Sequence, residues 1–202
     1  MPQDLETLAG IVGEGNVSAA PDEIARLTRT TLPGATTPAG IVWASSREQV
    51  QAVVAWAVAM RFPIYPISTG KNWGYGDLCA PVPGCLLLDL SRMNRILEVD
   101  PNLAYAVIEP GVTQGQLARY LSEKGFPLVV DATGAGPDAS LIGNTLERGF
   151  GHTAYGDRFA HAACLEAVLP DGSLLTTGFG AYDGARAQHL YKWGIGPSLD
   201  GY

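Results

Sequence analysis

The sequence predicts an α+β fold in two lobes, a small parallel βαβ lobe followed by a mostly antiparallel α+β lobe. The first observation is a helical repeat of apolar residues between two short apolar runs, formed by Val50, Val53, Val54, Ala57 and Val58. The second is a later pair of segments in which two short apolar runs flank a turn. The third is a composition of 47% hydrophobic residues with 25 Gly and 14 Pro in 202 residues, which is typical of a loop-rich globular protein.

The N-terminal segment, residues 1–35, is predicted to be helical, with short helices at 4–11 and 21–30. Residues 36–202 form the main domain, which divides near residue 93 into lobes at about 36–92 and 93–202.

The clearest helix is predicted over residues 47–61, and the hydroxyls of Ser45 and Ser46 are candidates for its N-cap. Strands predicted at 41–45 and 64–68 flank this helix. The arrangement is a βαβ unit, so we expect two parallel strands with the helix packed across them. A further strand is predicted over 85–90.

A glycine-rich loop follows the strand predicted at 64–68. Gly70, Gly74 and Gly76 allow positive φ angles and close approach of a ligand. Successive N–H groups in such a loop form a nest for phosphate oxygens, and Lys71 adds a cation. The loop therefore predicts an anion site, with a plain surface turn as the alternative. It matches neither a Walker loop, because Asn72 stands where Ser or Thr is required, nor a Rossmann turn, because prolines and a strand follow it.

The second lobe is predicted from two hairpins and a helix. The first hairpin pairs residues 96–100 with 104–109, and the second pairs 165–169 with 173–177 across Pro-Asp-Gly. Between them, Thr113 is the N-cap of a helix that ends before Gly125, and residues 126–130 are predicted to be extended.

Residues 131–157 form a second glycine cluster, set between two apolar segments. Its glycines are Gly134, Gly136, Gly143, Gly149, Gly151 and Gly156. Structureless loops of this length are uncommon in compact domains unless they are functional, so the cluster predicts a backbone pressed against a ligand. The alternative is a long loop without a function.

Charge and composition exclude several classes of function. A net charge of −7 argues against binding to nucleic acid or to an anionic membrane surface. The N-terminus has no signal-peptide pattern, and no apolar run approaches the roughly 20 residues that span a bilayer, so a cytoplasmic protein is expected. Three cysteines without a Cys-x-x-Cys pair, and three unclustered histidines, suggest neither a disulfide framework nor a metal site.

Taken together, the motifs resemble those of the vanillyl-alcohol oxidase and 4-cresol methylhydroxylase flavoproteins, whose FAD-binding domain is called PCMH-type. The resemblance covers nearly the whole chain from about Thr36 onward. The matching runs are Pro66-Ile-Ser-Thr-Gly-Lys-Asn-Trp-Gly-Tyr-Gly76, Val107-Ile-Glu-Pro-Gly-Val-Thr113, Gly143-Asn-Thr-Leu-Glu-Arg-Gly149 and Tyr155-Gly-Asp157. The resemblance implies a two-lobed PCMH-type domain with FAD between the lobes.

The resemblance also implies which residues contact FAD. In the first loop, which cradles the diphosphate in that family, they are Ser68, Thr69, Gly70, Lys71, Asn72, Trp73, Gly74 and Tyr75. In the second cluster, which lines the isoalloxazine and ribityl side, they are Ser140, Gly143, Asn144, Glu147, Arg148, Gly149, Gly151, Tyr155, Gly156 and Asp157.

The implied activity is that of an FAD-dependent oxidoreductase on a small aromatic substrate, a 4-alkylphenol or a 4-hydroxybenzylic alcohol, with hydride transfer to flavin N5. Tyr75 matches a family tyrosine that holds the phenolate oxygen and is the candidate catalytic residue; packing against the flavin is the alternative. The family's catalytic aspartate has no counterpart in register, since Asp138 is offset and Asp131 lies further back.

A second departure concerns the substrate domain, which in the family follows the FAD-binding half. We expect that domain to be missing here, so that these 202 residues alone are inactive and their partner is a C-terminal half or a second copy. The alternative function is a non-catalytic flavin-binding or interaction module.

Overall fold

The computed structural model of the chain describes residues 3–30, 33–34, 36–71 and 77–200. Its helices and strands, in chain order, are α1 (Gln3–Val12), β1 (Val17–Ser18), α2 (Pro21–Leu27), β2 (Gly40–Trp43), α3 (Arg47–Met60), β3 (Ile64–Ile67), β4 (Leu86–Asp89), β5 (Ile96–Asp100), β6 (Tyr105–Ile108), α4 (Gln114–Glu123), α5 (Leu141–Leu146), β7 (Glu166–Val168) and β8 (Leu174–Thr176). Two short 3-10 helices, Arg158–His161 and Gly178–Ala181, complete the list of elements.

The first lobe is built on a four-stranded sheet with the order β1-β2-β4-β3. Strands β2 and β3 both run parallel to β4, and Leu86 of β4 pairs with Gly40 on one side and with Ile64 on the other. The two strands of the predicted βαβ unit are therefore parallel, but they are not neighbours, because β4 lies between them. The antiparallel edge strand β1 was not predicted from the sequence.

Helix α3 confirms the predicted helix and its N-terminus. The Ser46 hydroxyl accepts a hydrogen bond from the backbone N–H of Gln49 at 3.3 Å, so Ser46 rather than Ser45 is the N-cap. Val53, Val54 and Ala57 are buried as predicted, whereas the prediction for Val58 was wrong, since it is 55% exposed. Position 58 is rotated by about 80° from position 50 on the helix, at the edge of the apolar face.

Both faces of the sheet are covered. Helices α1 and α3 pack on one face against a buried cluster that includes Leu5, Leu8, Val42 and Leu86. On the other face, Ile24 of α2 joins a second cluster with Ile41, Ala80, Cys85 and Leu87. Each such buried aliphatic side chain stabilises the fold by about 1.5–3 kcal/mol. The loop that leaves β3 therefore starts from a well-packed sheet.

The second lobe contains the two predicted hairpins, β5–β6 and β7–β8, each a separate antiparallel pair. Thr113 caps α4 through a hydrogen bond from Gln116 N to its hydroxyl at 3.1 Å. Residues 126–130 form no strand; Phe126, Leu128 and Val130 pack against the cluster of α4 and α5 that contains Val112, Leu117 and Leu141, whereas Val129 is exposed.

The three cysteines are free, with Cys85 buried and Cys79 and Cys164 half-buried. Across the described ranges, no helix is both long enough and apolar enough to cross a membrane.

Candidate functional site

The two glycine-bearing segments meet where β3 ends. The Thr69 hydroxyl oxygen accepts a hydrogen bond from the backbone N–H of Ser140 at 3.1 Å. A Cβ added to Gly143 would lie 3.0 Å from the Ser68 hydroxyl, so the helix α5 approaches the end of β3 at a position without a side chain. The fold thus brings the start of the first predicted site segment against the second, although they are far apart in sequence.

The first loop begins with Gly70, which must be glycine for two reasons. Its φ angle is +63°, in the left-handed region, and an added Cβ would lie 2.1 Å from Cδ2 of Leu78. Lys71 follows with an exposed side chain. The predicted cofactor contacts Asn72, Trp73, Gly74 and Tyr75, and with them Gly76, lie outside the described residues.

Ser140 ties three segments together. Its hydroxyl donates to the carbonyl of Pro110 at 2.7 Å and accepts from Gly143 N at 2.9 Å, which makes it the N-cap of α5. In the same region, Leu141 N donates to the carbonyl of Val112 at 3.1 Å. Because Ser140 is 5% exposed, this junction of the Pro110 turn, α5 and Thr69 lies inside the protein.

A buried arginine that the sequence analysis missed lies at the other end of α5. The Arg158 guanidinium donates from Nη1 to Oδ1 of Asn144 at 2.9 Å and to Oε1 of Gln114 at 3.3 Å. Arg158 is 8% exposed, and its burial lowers its pKa, a change that the charge of Asp131 opposes. Nothing in the sequence marks this arginine, because its partners come from α4 and α5, far from it along the chain.

The glycines of the second cluster approach protein side chains. A Cβ added to Gly149 would lie 2.0 Å from Asn144 Oδ1, and one added to Gly151 would lie 1.8 Å from Asp131 Oδ2. Gly156, with a φ of +61°, has the Phe150 ring 2.5 Å from its added Cβ. The sequence predicted that the backbone at these glycines lies against a ligand. At these three positions it lies instead against side chains of the same segment.

The remaining residues of the second cluster lie at its surface. Glu147 and Arg148 are exposed, and Tyr155 is 72% exposed, with its ring packed edge-on against His161. The Asp157 carboxylate accepts from Phe159 N at 3.0 Å and caps the 3-10 helix Arg158–His161.

Two cations lie over the ring of Phe159. The guanidinium carbon of Arg148 is 3.9 Å and the ammonium of Lys192 3.5 Å from the ring centroid. Lys192 also donates to the Phe159 carbonyl, and its partial burial lowers its pKa. These contacts bring the C-terminal residues against the second cluster.

The two aspartates closest to the register of the family's catalytic aspartate have different surroundings. Asp138 is exposed, whereas Asp131 is half-buried and accepts a hydrogen bond from Thr153 N at 3.1 Å. Nearby, a cleft of about 690 Å³ lies between α4 and residues 126–137, with Gln114, Phe126, Leu128 and Val130 in its wall.

The chain is similar to known proteins in both sequence and structure. The sequence profile of the family described as "FAD binding domain" matches residues 38–178. The chain is 46% identical over 194 residues to 1'-carboxy-chondrochloren decarboxylase of Chondromyces crocatus, covering 95% of this chain and 35% of that protein. It is 36% identical over 200 residues to the flavoprotein subunit of 4-cresol dehydrogenase [hydroxylating] of Pseudomonas putida, covering 98% of this chain and 38% of that protein.

Among solved structures, the crystal structure of p-cresol methylhydroxylase with substrate bound superposes with a TM-score of 0.95 at 36% identity. The match covers 98% of this chain and 39% of that one. The predicted α+β, two-lobed PCMH-type fold is thereby confirmed. The chain spans between about a third and two fifths of the length of the relatives that it matches.

Proposed function

Because the chain belongs to the family of FAD binding domains, with FAD as its cofactor, we propose that it is the cofactor-binding part of a flavin-dependent oxidoreductase. The observation that carries this proposal is the contact between Thr69 and Ser140, which joins the two segments predicted to hold the cofactor. This contact places the two predicted segments side by side, so that one extended dinucleotide reaches both.

The described residues fit this cofactor. Gly70 places left-handed backbone at the carboxyl end of a parallel strand, where the sheets of α/β proteins bind ligands. Ser68, Thr69 and Gly70 are proposed to start the diphosphate site, which Lys71 and residues 72–75 complete. Gly143 and Asn144, which are partly exposed on α5, are proposed to contact the flavin half, together with the cluster of residues 147–157, while the buried Ser140 holds the start of α5 in place.

The proposed substrate is a small phenol, by analogy with the 4-cresol enzyme at 36% identity. When bound, FAD supplies the hydride acceptor, N5, while the protein orients the substrate and excludes water. Tyr75 is proposed to hold the phenolate oxygen. Since no aspartate stands in register with the family's base, we propose a different base or a different substrate for this chain.

A second candidate is decarboxylation of an aromatic acid. It is favoured by the higher identity, 46%, to a protein named as a decarboxylase. Because these 202 residues alone are expected to be inactive, the test uses the FAD-loaded protein isolated from its natural source, mixed anaerobically with 4-cresol or with its carboxylated analogue 4-hydroxyphenylacetate. Flavin bleaching by 4-cresol supports the oxidoreductase, whereas CO₂ release from 4-hydroxyphenylacetate alone supports the decarboxylase.

Cofactor binding is tested by titrating FAD into the apo chain and following flavin fluorescence. The variants Gly70→Ala and Gly84→Ala form a matched pair, because both glycines have positive φ, +63° and +71°, but only Gly70 lies in the loop and has a neighbour at its Cβ position. We expect Gly70→Ala to weaken FAD binding by about tenfold or more, equivalent to about 1.4 kcal/mol, and Gly84→Ala to leave it unchanged. Equal affinities in the two variants would remove the loop from the site.

A further inference from the structure

The buried guanidinium of Arg158 has only neutral hydrogen-bond partners. Its Nη1 donates to the amide oxygens of Asn144 and Gln114, and within the described part of the chain no carboxylate lies within ion-pair distance of it. The charge of Asp131 acts on it from beyond that distance, and burying a guanidinium without a directly paired carboxylate is costly, which calls for an explanation.

The Gln114 side chain anchors the arginine on one side. Its Oε1 accepts from Thr133 N at 2.7 Å as well as from Arg158, and its Nε2 donates to the Gly136 carbonyl at 2.8 Å. Because both ends of this amide are engaged and the residue is 4% exposed, Gln114 is not free to turn. The guanidinium is therefore held in place at the start of α4.

On the other side, the arginine fixes the orientation of the Asn144 carboxamide. A guanidinium has donors and no acceptor, so the atom of Asn144 that faces it must be Oδ1. Nδ2, with two donors, then points away from Arg158 and has no hydrogen-bond partner among the residues that the structure describes. Gly149 leaves room for the carboxamide in this position, since a Cβ added there would lie 2.0 Å from Oδ1 and 2.3 Å from Nδ2.

We propose that Arg158 is a positioning residue that presents the Asn144 carboxamide to the cofactor as a hydrogen-bond donor. The ligand atom must then be an acceptor, such as a flavin carbonyl oxygen, an unprotonated ring nitrogen or a phosphate oxygen. The inference rests on the proposed function, because it takes FAD as the ligand that lies along α5.

The decisive variant is Asn144→Asp, which keeps the shape of the side chain but replaces its two donors by an acceptor. We expect the melting temperature of the apo chain to rise, because the new carboxylate pairs with the Arg158 guanidinium. We expect the affinity for FAD to fall at least about tenfold, because an acceptor now faces an acceptor. The control Asn102→Asp makes the same charge change in the exposed β5–β6 turn and should alter neither quantity.

A rise in melting temperature together with a fall in FAD affinity indicates a positioning role. A purely structural role would lower both quantities. Unchanged FAD affinity in Asn144→Asp would overturn the proposal, and so would an unchanged or lower apo melting temperature. If the wild-type chain binds no FAD, the proposed function is wrong. The melting temperature of apo Asn144→Asp still shows whether the oxygen of the Asn144 carboxamide faces Arg158.

Arg158→Met completes the test. If Arg158 acts through Asn144, then adding Asn144→Ala to Arg158→Met should cause no further loss of FAD affinity, whereas independent roles would give additive losses. Titrations of Arg158→Met with riboflavin and with ADP identify the acceptor. If only the affinity for riboflavin falls below that of wild type, the carboxamide contacts the flavin; if only the affinity for ADP falls, it contacts the diphosphate. No loss in Arg158→Met would overturn the proposal.

Discussion

Replacing Ser140 with alanine should destabilise the protein more than the loss of an ordinary helix cap. The variant removes the hydroxyl that caps α5 at Gly143 N, a contact of 2.9 Å, which costs about 1 kcal/mol. It also removes the bond to the Pro110 carbonyl at 2.7 Å, which costs about another 1 kcal/mol. The total of about 2 kcal/mol corresponds to a fall of about 4–8 °C in the melting temperature of a chain of this size.

The assay is thermal unfolding of the apo chain followed by circular dichroism, with Ser46→Ala as the matched control. Ser46 caps α3 through a hydrogen bond from Gln49 N at 3.3 Å, and its interaction with the exposed Glu48 carboxylate is one that water can replace, so we expect a loss of about 1 kcal/mol, or about 2–4 °C. Equal losses in the two variants would refute the idea that Ser140 joins the Pro110 turn to α5. Ser140→Thr, which keeps a hydroxyl, should recover part of the loss.

Two further outcomes follow from the same geometry. Gly149→Ala should displace the Asn144 carboxamide, whose Oδ1 lies 2.0 Å from the added Cβ, and lower FAD affinity about tenfold; Gly10→Ala, on α1 with no atom within 4 Å of its added Cβ, should not. Glu109 is 7% exposed, and although burial raises the pKa of its carboxyl, three hydrogen bonds from Arg95 lower it below the usual range. Because the pKa of Glu109 is lower in the folded than in the unfolded protein, its carboxylate stabilises the fold fully at a pH above the unfolded-state pKa. This stabilisation is lost as the pH falls through the folded-state pKa. Below about pH 4, the melting temperature should therefore fall less in Glu109→Gln than in wild type. Parallel pH profiles of those two proteins would show that the Arg95–Glu109 pair does not matter for acid stability.

Local signals in the sequence were sufficient for most of the elements. The apolar repeat of α3, the Thr113 cap of α4 and the turn residues of the two hairpins lie within a few residues of the structure that they specify. Strand order was harder, because a parallel strand is placed by packing across long sequence distances. The position of β4 between β2 and β3 follows from which apolar faces fit together, and no local motif encodes it.

The site was predictable in its location but not in its internal contacts. Glycine density identified both segments, yet it could not show whether Gly149, Gly151 and Gly156 approach a ligand or the protein's own side chains. The helix α5 was missed because its glycine and its short length weaken the helical signal, although Ser140 three residues before Gly143 was a usable cap signal. Arg158 was missed for a different reason, since its buried state exists only after α4 and α5 have come together.

The place of β4 in the sheet also affects how the chain acquires its structure. Strands β2 and β3 each pair with β4 and not with each other. Neither strand therefore has a parallel partner until β4 has been synthesised. During synthesis, β2 can pair along one edge with β1, through Val17 and Ser18, but its other edge has no partner while α3, β3 and the first glycine loop emerge. Pairing of strands that are far apart in sequence is slow, because the chain loses the entropy of loop closure before the stabilising contacts form. The loop predicted to bind the diphosphate is thus exposed to solvent and to proteases before the sheet that supports it can close, and cofactor binding by this segment must wait for residues 86–89.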